Sequence, residues 1–365
     1  MVTDATISFA RGAPSLDIVD VEGLQEAAAR AFSQDAARTV AYGTSVGFVP
    51  LREWIAEQHA VPVEQVLVTN GSMQADAFLF SLLVQAGDTV VVESPTYDRT
   101  LLNLRQRGAD LRPVALRPDG IDVDALAVWL EDGLRPKLAH IIPNFQNPAG
   151  YTLSAAKRTR LLELAAEYDM TIFEDDPYIL IRFEGESLPT LLEQDKAGKV
   201  VYASSFSKTV CPGIRVGYLV GPQAVIAQVQ SLATNTYISP NMVAQSIVNQ
   251  FCRSGRLEQS VQTVRKALRE RRDMLVTALE RELPEARFEP PQGGYFMWVE
   301  LPEDVDVAQL ETAAGKRGVQ LVKGTDFLLE GGSNTMRLAY SGVTPAEIDE
   351  GVTRLGDALR SLRSR

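Results

Sequence analysis

The chain has 365 residues, of which 45% are hydrophobic and 23% charged, and its formal net charge is −11. A chain this acidic is repelled by phosphate backbones and anionic bilayers, so neither nucleic acid nor a membrane surface is an expected partner. Its two cysteines, Cys211 and Cys252, and two histidines, His59 and His140, are too few and too scattered for a disulfide framework or a zinc site, which fits a reducing cytoplasm and no metal.

The opening MVTDATISFARGAPSLD has no basic-then-apolar leader pattern, and no stretch approaches the ~18 apolar residues of a membrane helix. Residues 51–59 read as a helix begun by Pro50. Then come a strand at 65–69, a helix at 72–84, a strand at 89–93 closed by Ser94-Pro95, and a helix at 100–107 ending at Gly108. A buried strand is expected at 138–142, a helix at 155–168, and strands at 171–174 and 200–203. Strands alternating with helices argue for a largely parallel sheet covered on both faces. Beyond a loop at 235–241 the texture changes. A long charged helix over 257–283 is stopped by Pro284, followed by a strand at 295–299, a helix at 307–316, a strand at 336–339 and a last helix from 345 to about 362. This second part reads as a smaller α+β unit, with the N-terminal ~30 residues packed on it.

Six segments carry residues with chemical potential. In SSFSKTVCPGIR (204–215) a lysine, Lys208, follows a strand among hydroxyls; buried, such a lysine loses proton affinity and becomes a nucleophile toward aldehydes. Ser205, Ser207 and Arg215 suit a phosphate, though a solvated Ser-rich loop has the same composition. In FEDDPY (173–178) a strand delivers Asp175 and Tyr178 where α/β sheets place ligand contacts, and a capped turn start is the plain alternative. PNFQNPAG (143–150) offers Asn147 or a simple Asn-Pro turn. TNGSMQ (69–74) opens a helix at Gly-Ser, so free N–H groups and the helix dipole suit phosphate. In SPTYD (94–98), Tyr97 follows a strand and can lie flat on an aromatic ring. In MRLAYS (336–341), Arg337 sits among apolar residues and needs a carboxylate, of a substrate or of a structural salt bridge. Five of the six fall at strand ends of one parallel sheet, where together they match a phosphorylated pyridine aldehyde.

With YGTSVGFVPLRE and GGYFMWVEL, these segments resemble, over nearly the whole chain, the fold-type I class I/II aminotransferases, and most the 2-aminoadipate/kynurenine branch. The resemblance implies an α/β large domain with a mainly parallel seven-stranded sheet between helices, spanning 35–255, and a smaller α+β domain built from 1–34 and 256–365. It implies pyridoxal 5′-phosphate (PLP) held as a Schiff base on Lys208, with Lys208, Asp175 and Tyr97 as the catalytic set. Asp175 would pair with the pyridine nitrogen, Tyr178 and Asn147 with the phenolic oxygen, and Tyr97 would stack on the ring. Ser72, the Met73 backbone, Ser205, Ser207 and Arg215 would hold the phosphate. Arg337, Asn147 and the Gly12 backbone would bind the substrate α-carboxylate. Tyr42 would reach the neighbouring subunit's cofactor, which makes a homodimer with shared active sites the expectation, acting on an amino acid and a 2-oxo acid.

The chain departs from the family pattern near its start, where Arg11 replaces a glycine and would favour an acidic or phosphate-bearing substrate. It departs again at Ala149 and at Lys323-Gly324-Thr325-Asp326-Phe327. Elimination or replacement at the β or γ carbon, for example on S-adenosylmethionine, uses nearly the same residues and is the alternative reaction. A regulator built on this scaffold would place a helix-turn-helix ahead of it, and none is recognised here.

Overall fold

The computed structural model describes residues 6–364; the first five residues of the opening segment, and of the expected small domain, lie outside them. The chain opens with the two-residue strand β1 (Ile7–Ser8). The large sheet follows in chain order as β2 (Val66–Thr69), β3 (Thr89–Ser94), β4 (Asp110–Arg117), β5 (Gly120–Ile121), β6 (Leu138–Ile141), β7 (Thr171–Asp175), β8 (Val200–Ser205) and β9 (Gly217–Val220). Their spatial order is β2-β9-β8-β7-β6-β3-β4-β5. Seven of these strands have four residues or more, and the eighth is the two-residue edge strand β5.

The centre of the sheet, β8-β7-β6-β3-β4, is parallel. Strand β9 is antiparallel to both neighbours, so β2 runs in the same direction as β8. The carboxyl ends of β2, β3, β6, β7 and β8 therefore open on one edge, the place where open α/β sheets bind ligands. Side-chain alternation explains the two covered faces. Val90 and Val92 pack with Phe78, Leu79 and Leu104, whereas Val91 between them packs with Leu126, Leu161 and Leu164. Strands buried on both faces read as continuous apolar runs, which is why β3 and β6 stand out in the sequence.

Among the elements that carry no expectation from sequence are β4, the helix Val123–Glu131 and β9. Strand β4 is half exposed and holds Asp110, Arg112, Pro113 and Arg117, so its apolar signal is diluted. Strand β9 is four residues long and follows a Pro-Gly-Ile-Arg turn. The helix before the 235–241 loop runs on to Tyr237, leaving a shorter connection.

The second unit is a three-stranded antiparallel sheet of β10 (Phe296–Glu300), β13 (Thr335–Ala339) and β12 (Val322–Lys323). Strand β1 pairs in parallel with β11 (Val319–Gln320), tying the N-terminus to this unit. The helices Arg256–Glu282 and Pro345–Arg363 pack over it through Leu268, Leu275, Leu279, Val352 and Leu355. Residues 21–34, counted from sequence with the small domain, bury Ala27 among Phe48, Leu51, Val248 and Phe251 on the side of the large sheet. Leu257 and Val261 of the long helix share that cluster, while Val264 and Leu268 belong to the other. We propose on this packing a division near residue 20 and near residue 263.

Candidate active site

The lysine loop follows from the geometry of the strands on either side of it. Strand β8 delivers Ser204 and Ser205, the chain leaves the sheet, and β9 returns antiparallel beside it. Between them Phe206 and Val210 bury into the core and anchor the loop. Lys208 is thereby turned inward, its Nζ donating to Gly12 O at 2.5 Å and lying 5.2 Å from the Tyr295 ring centroid. Burial lowers its pKa to about 8, aided by the nearby Arg337 and Arg215 charges and opposed by Asp175.

Around it lies a cavity of about 590 Å³. Ser72 and Met73 enter it from the first turn of the helix Ser72–Leu83, and Ser205, Ser207 and Arg215 from the lysine loop. Ser207 N–H donates to Ser205 Oγ at 3.1 Å, and Arg215 Nη1 donates to Ser207 Oγ at 3.2 Å. Gly71 precedes the helix with φ +85°, and a Cβ there would collide with the Arg215 guanidinium, so glycine lets the arginine lie over the helix N-terminus. A helix N-terminus, hydroxyls and a guanidinium on one wall make an anion cradle.

The same cavity takes Tyr97, Asn147, Asp175 and Tyr178 from beyond the ends of β3, β6 and β7. Asp175 is buried; its Oδ2 lies 3.6 Å from His140 Nε2, and its Oδ1 has no partner. Its neighbours in sequence do structural work. Glu174 accepts the N–H groups of Leu191 and Leu192, and Asp176 accepts from Asn144 Nδ2 at 2.6 Å. Burial raises the pKa of Glu174 to about 8 and of Asp176 to about 7, so the three acids in this run have three different surroundings.

Arg337 rises from β13 between the rings of Phe296 and Phe327, 4.4 and 4.7 Å from their centroids. It donates to Asn147 Oδ1 at 2.9 Å and to Ala10 O at 2.6 Å, and its buried Nε has no partner. With Asn147 Oδ1 engaged there, the Asn147 amide N–H₂ is what that residue offers a ligand. A buried guanidinium held by neutral acceptors is poised for a carboxylate. Arg11 and Gly12 close the cavity from the N-terminal segment, with Asp326 and Phe327 from the turn Gly324–Phe327. Thr96 N–H donates to Phe327 O at 2.9 Å, joining the Tyr97 loop to that turn. Arg11 is exposed.

Of the residues singled out by sequence, thirteen line this one cavity; Tyr42 does not and is 90% exposed. Three others that sequence reading passed over also shape the site: Asp76 and Phe296 line it, the latter with Phe327 of the 323–327 segment, and His140 sits behind Asp175. A charged or imidazole side chain inside the apolar runs ADAFLF and LAHII was the available signal for Asp76 and His140; Phe296 carried none. An anion cradle, an unpaired carboxylate oxygen and a buried amine in one cavity fit a phosphorylated aldehyde with a ring nitrogen. Among the described residues no cluster of His, Cys, Asp or Glu suits a metal ion, and no helix is long and apolar enough to cross a membrane.

The family model described as aminotransferase class I and II matches residues 6–355. The 2-aminoadipate transaminase of Thermus thermophilus is 36% identical, covering 98% of this chain and 90% of that protein. The aromatic-amino-acid aminotransferase 1 of Thermococcus litoralis is 33% identical, over 98% and 89%. The crystal structure of an alpha-aminoadipate aminotransferase from Thermus thermophilus, complexed with N-(5′-phosphopyridoxyl)-L-leucine, superposes with a TM-score of 0.94 at 33% identity, covering 98% of this chain and 93% of that one.

Proposed function

The chain belongs to the class I and II aminotransferases, and on that premise we propose that Lys208 carries the cofactor and that the donor is an L-amino acid with an acidic side chain. The protein is a PLP-dependent transaminase of fold type I, exchanging an amino group between an amino acid and a 2-oxo acid. The comparisons support transamination and not the elimination or replacement reading.

The observation that carries the assignment of Lys208 is a buried amine with lowered proton affinity in the same cavity as an anion cradle and an unpaired aspartate oxygen. Bound PLP supplies an aldehyde that condenses with amines and a protonated ring that draws electrons from the substrate α-carbon. Ser72, the Met73 N–H, Ser205, Ser207 and Arg215 would hold the phosphate. Tyr97 would pack on the ring, Asp175 would keep its nitrogen protonated, and Tyr178 and Asn147 would bind its phenolic oxygen. Arg337, with Asn147 and the Gly12 backbone, would orient the substrate by its α-carboxylate. Lys208 Nζ would take the proton from the substrate α-carbon and deliver it to the carbon that was the cofactor's aldehyde carbon. The phenylalanines on either side of Arg337 keep water from that ion pair and strengthen it.

Arg11 is the support for an acidic donor. It lines the cavity without a hydrogen bond or ion pair among the described residues, and shares that lining with Arg99, Asp98 and Asp326. The 2-aminoadipate name of one relative points the same way. We read the assembly as a homodimer in which Tyr42 enters the partner's site, supported by the exposure of Tyr42, Val40 (68%) and Ile238 (67%). A cytoplasmic location is supported by two free cysteines.

The test is the visible absorption of the purified protein during titration with glutamate, 2-aminoadipate, aromatic amino acids and S-adenosylmethionine. Bleaching of the yellow band by an acidic donor, and its return with a 2-oxo acid, is expected. A preference for aromatic donors overturns the role given to Arg11, and absence of a band after added PLP overturns the role given to Lys208.

A further inference from the structure

Asp76 is an acid in an unfavourable place. It lies in the second turn of the helix Ser72–Leu83, within the apolar run Ala75–Leu83 of which only Asp76 and Ser81 are polar. It is 3% exposed, its Oδ1 has no partner, and no other residue donates a hydrogen bond to it among the described residues. Burial, and next the charge of Asp175, hold its proton affinity well above that of an ordinary aspartate. A buried carboxyl left without partners costs stability, and folded chains keep such groups where a ligand completes them.

The surroundings say which ligand. Asp76 stands one helical turn after Ser72, on the same helix face, and lines the same cavity. It is close enough to Tyr97 for its charge to act on that phenol. Asp175 on the facing strand end shares the condition, with its own Oδ1 buried and unpartnered. Two carboxyls, each with one open oxygen, thus line the same cavity as the anion cradle and Tyr97, near enough for the charge of Asp175 to act on Asp76.

We propose that Asp76 is a second carboxyl for the ring-nitrogen end of the cofactor, acting with Asp175 as a two-acid clamp that is completed only when the cofactor is bound. The proposal rests on the reading of this cavity as the PLP site. The Asp76 carboxyl adds a second open acceptor oxygen to that of Asp175, so the ring nitrogen meets two acidic groups. That arrangement raises the proton affinity of the ring nitrogen above what Asp175 alone provides.

A clamp and a structural residue make opposite predictions for Asp76→Leu, which continues the apolar run at similar size. PLP is titrated into cofactor-free protein and followed by its visible band, and melting is recorded with and without PLP. If Asp76 is held at a cost for the cofactor, Asp76→Leu raises the melting temperature of the cofactor-free protein by about 2 °C or more. It also weakens PLP binding by about tenfold or more. Asp76→Asn, which keeps a carbonyl acceptor, stays within about threefold of the parent. PLP affinity within about twofold of the parent in Asp76→Leu overturns the clamp, as does a joint loss of affinity and cofactor-free stability. If the parent protein itself takes up no PLP while melting normally, the reading of the cavity fails, and the proposal with it, before any variant is compared.

Discussion

Lys208 sits where two demands conflict: a lysine wants water, and a nucleophilic amine has to be unprotonated. Burial resolves the conflict by lowering its pKa to about 8. The sign of the consequence is fixed, because this folded value lies below the ordinary ~10.4. Between those values the unfolded chain binds the extra proton, so stability should rise with pH from about 8 to about 10.4. Capture of PLP by the cofactor-free protein should fall as pH drops below about 8. Rate measurements on either side of that value check this, and Lys208→Ala should lose both the yellow band and turnover; activity like the parent's in that variant would sink the assignment. Arg337 gives the second residue-scale prediction. Arg337→Ala removes the cation that reaches Asn147 and leaves a cavity between two phenylalanine rings. Amino-acid binding should weaken by about two orders of magnitude, on the order of 3 kcal/mol for a paired guanidinium, while PLP affinity changes several-fold at most. Equal losses of both in binding titrations would mark the arginine as structural.

At the scale of elements, the phosphate wall depends on how closely the helix Ser72–Leu83 approaches the lysine loop. Gly71 sets that approach, with φ +85° and the Arg215 guanidinium where a side chain would be. Gly71→Ala should therefore strain the backbone and push Arg215 off the helix N-terminus. PLP affinity, and affinity for inorganic phosphate as a probe of the cradle alone, should fall by about tenfold, roughly 1–2 kcal/mol. Retained phosphate affinity in calorimetry would mean that the arginine relocates without loss. The strand-to-ligand turns were legible in the sequence because each bears several chemically distinctive residues within a few positions, as in EDDPY or SSFSK. Strand β4 and the helix Val123–Glu131 were not, because they lie away from the site and contribute ordinary packing through Val114, Leu126 and Leu130.

At the scale of the whole molecule, the cavity is assembled from both termini of the chain and from the large sheet, with Arg337, Arg11 and Phe327 brought against the carboxyl edge. Two small-unit contacts lock this arrangement: Arg337 reaches Asn147, and Thr96 reaches Phe327 O. Tyr42 stands outside the cavity with its ring exposed. A homodimer should sediment at twice 39.9 kDa, and Tyr42→Ala should lower PLP affinity without unfolding the protomer. Mixing inactive Lys208→Ala with Tyr42→Ala protein should restore part of the activity through one intact shared site. A monomeric mass with full activity would contradict the shared site.

The sequence alone indicated the chain order of the strands that end at the ligand edge, the lysine, and the hydroxyl and basic residues proposed for the anion cradle. These are local properties: a strand end, a helix start and a basic or hydroxyl side chain lie within a few residues of one another. Only the tertiary structure decided that Arg337 stands between two phenylalanines and bonds Asn147, 190 residues away, or that an aspartate in an apolar helix lines the same cavity as Asp175. Such relations have no local signature, because the free energy that places these groups comes from packing of distant segments, and an apolar run reads the same whether it faces a core or a cavity.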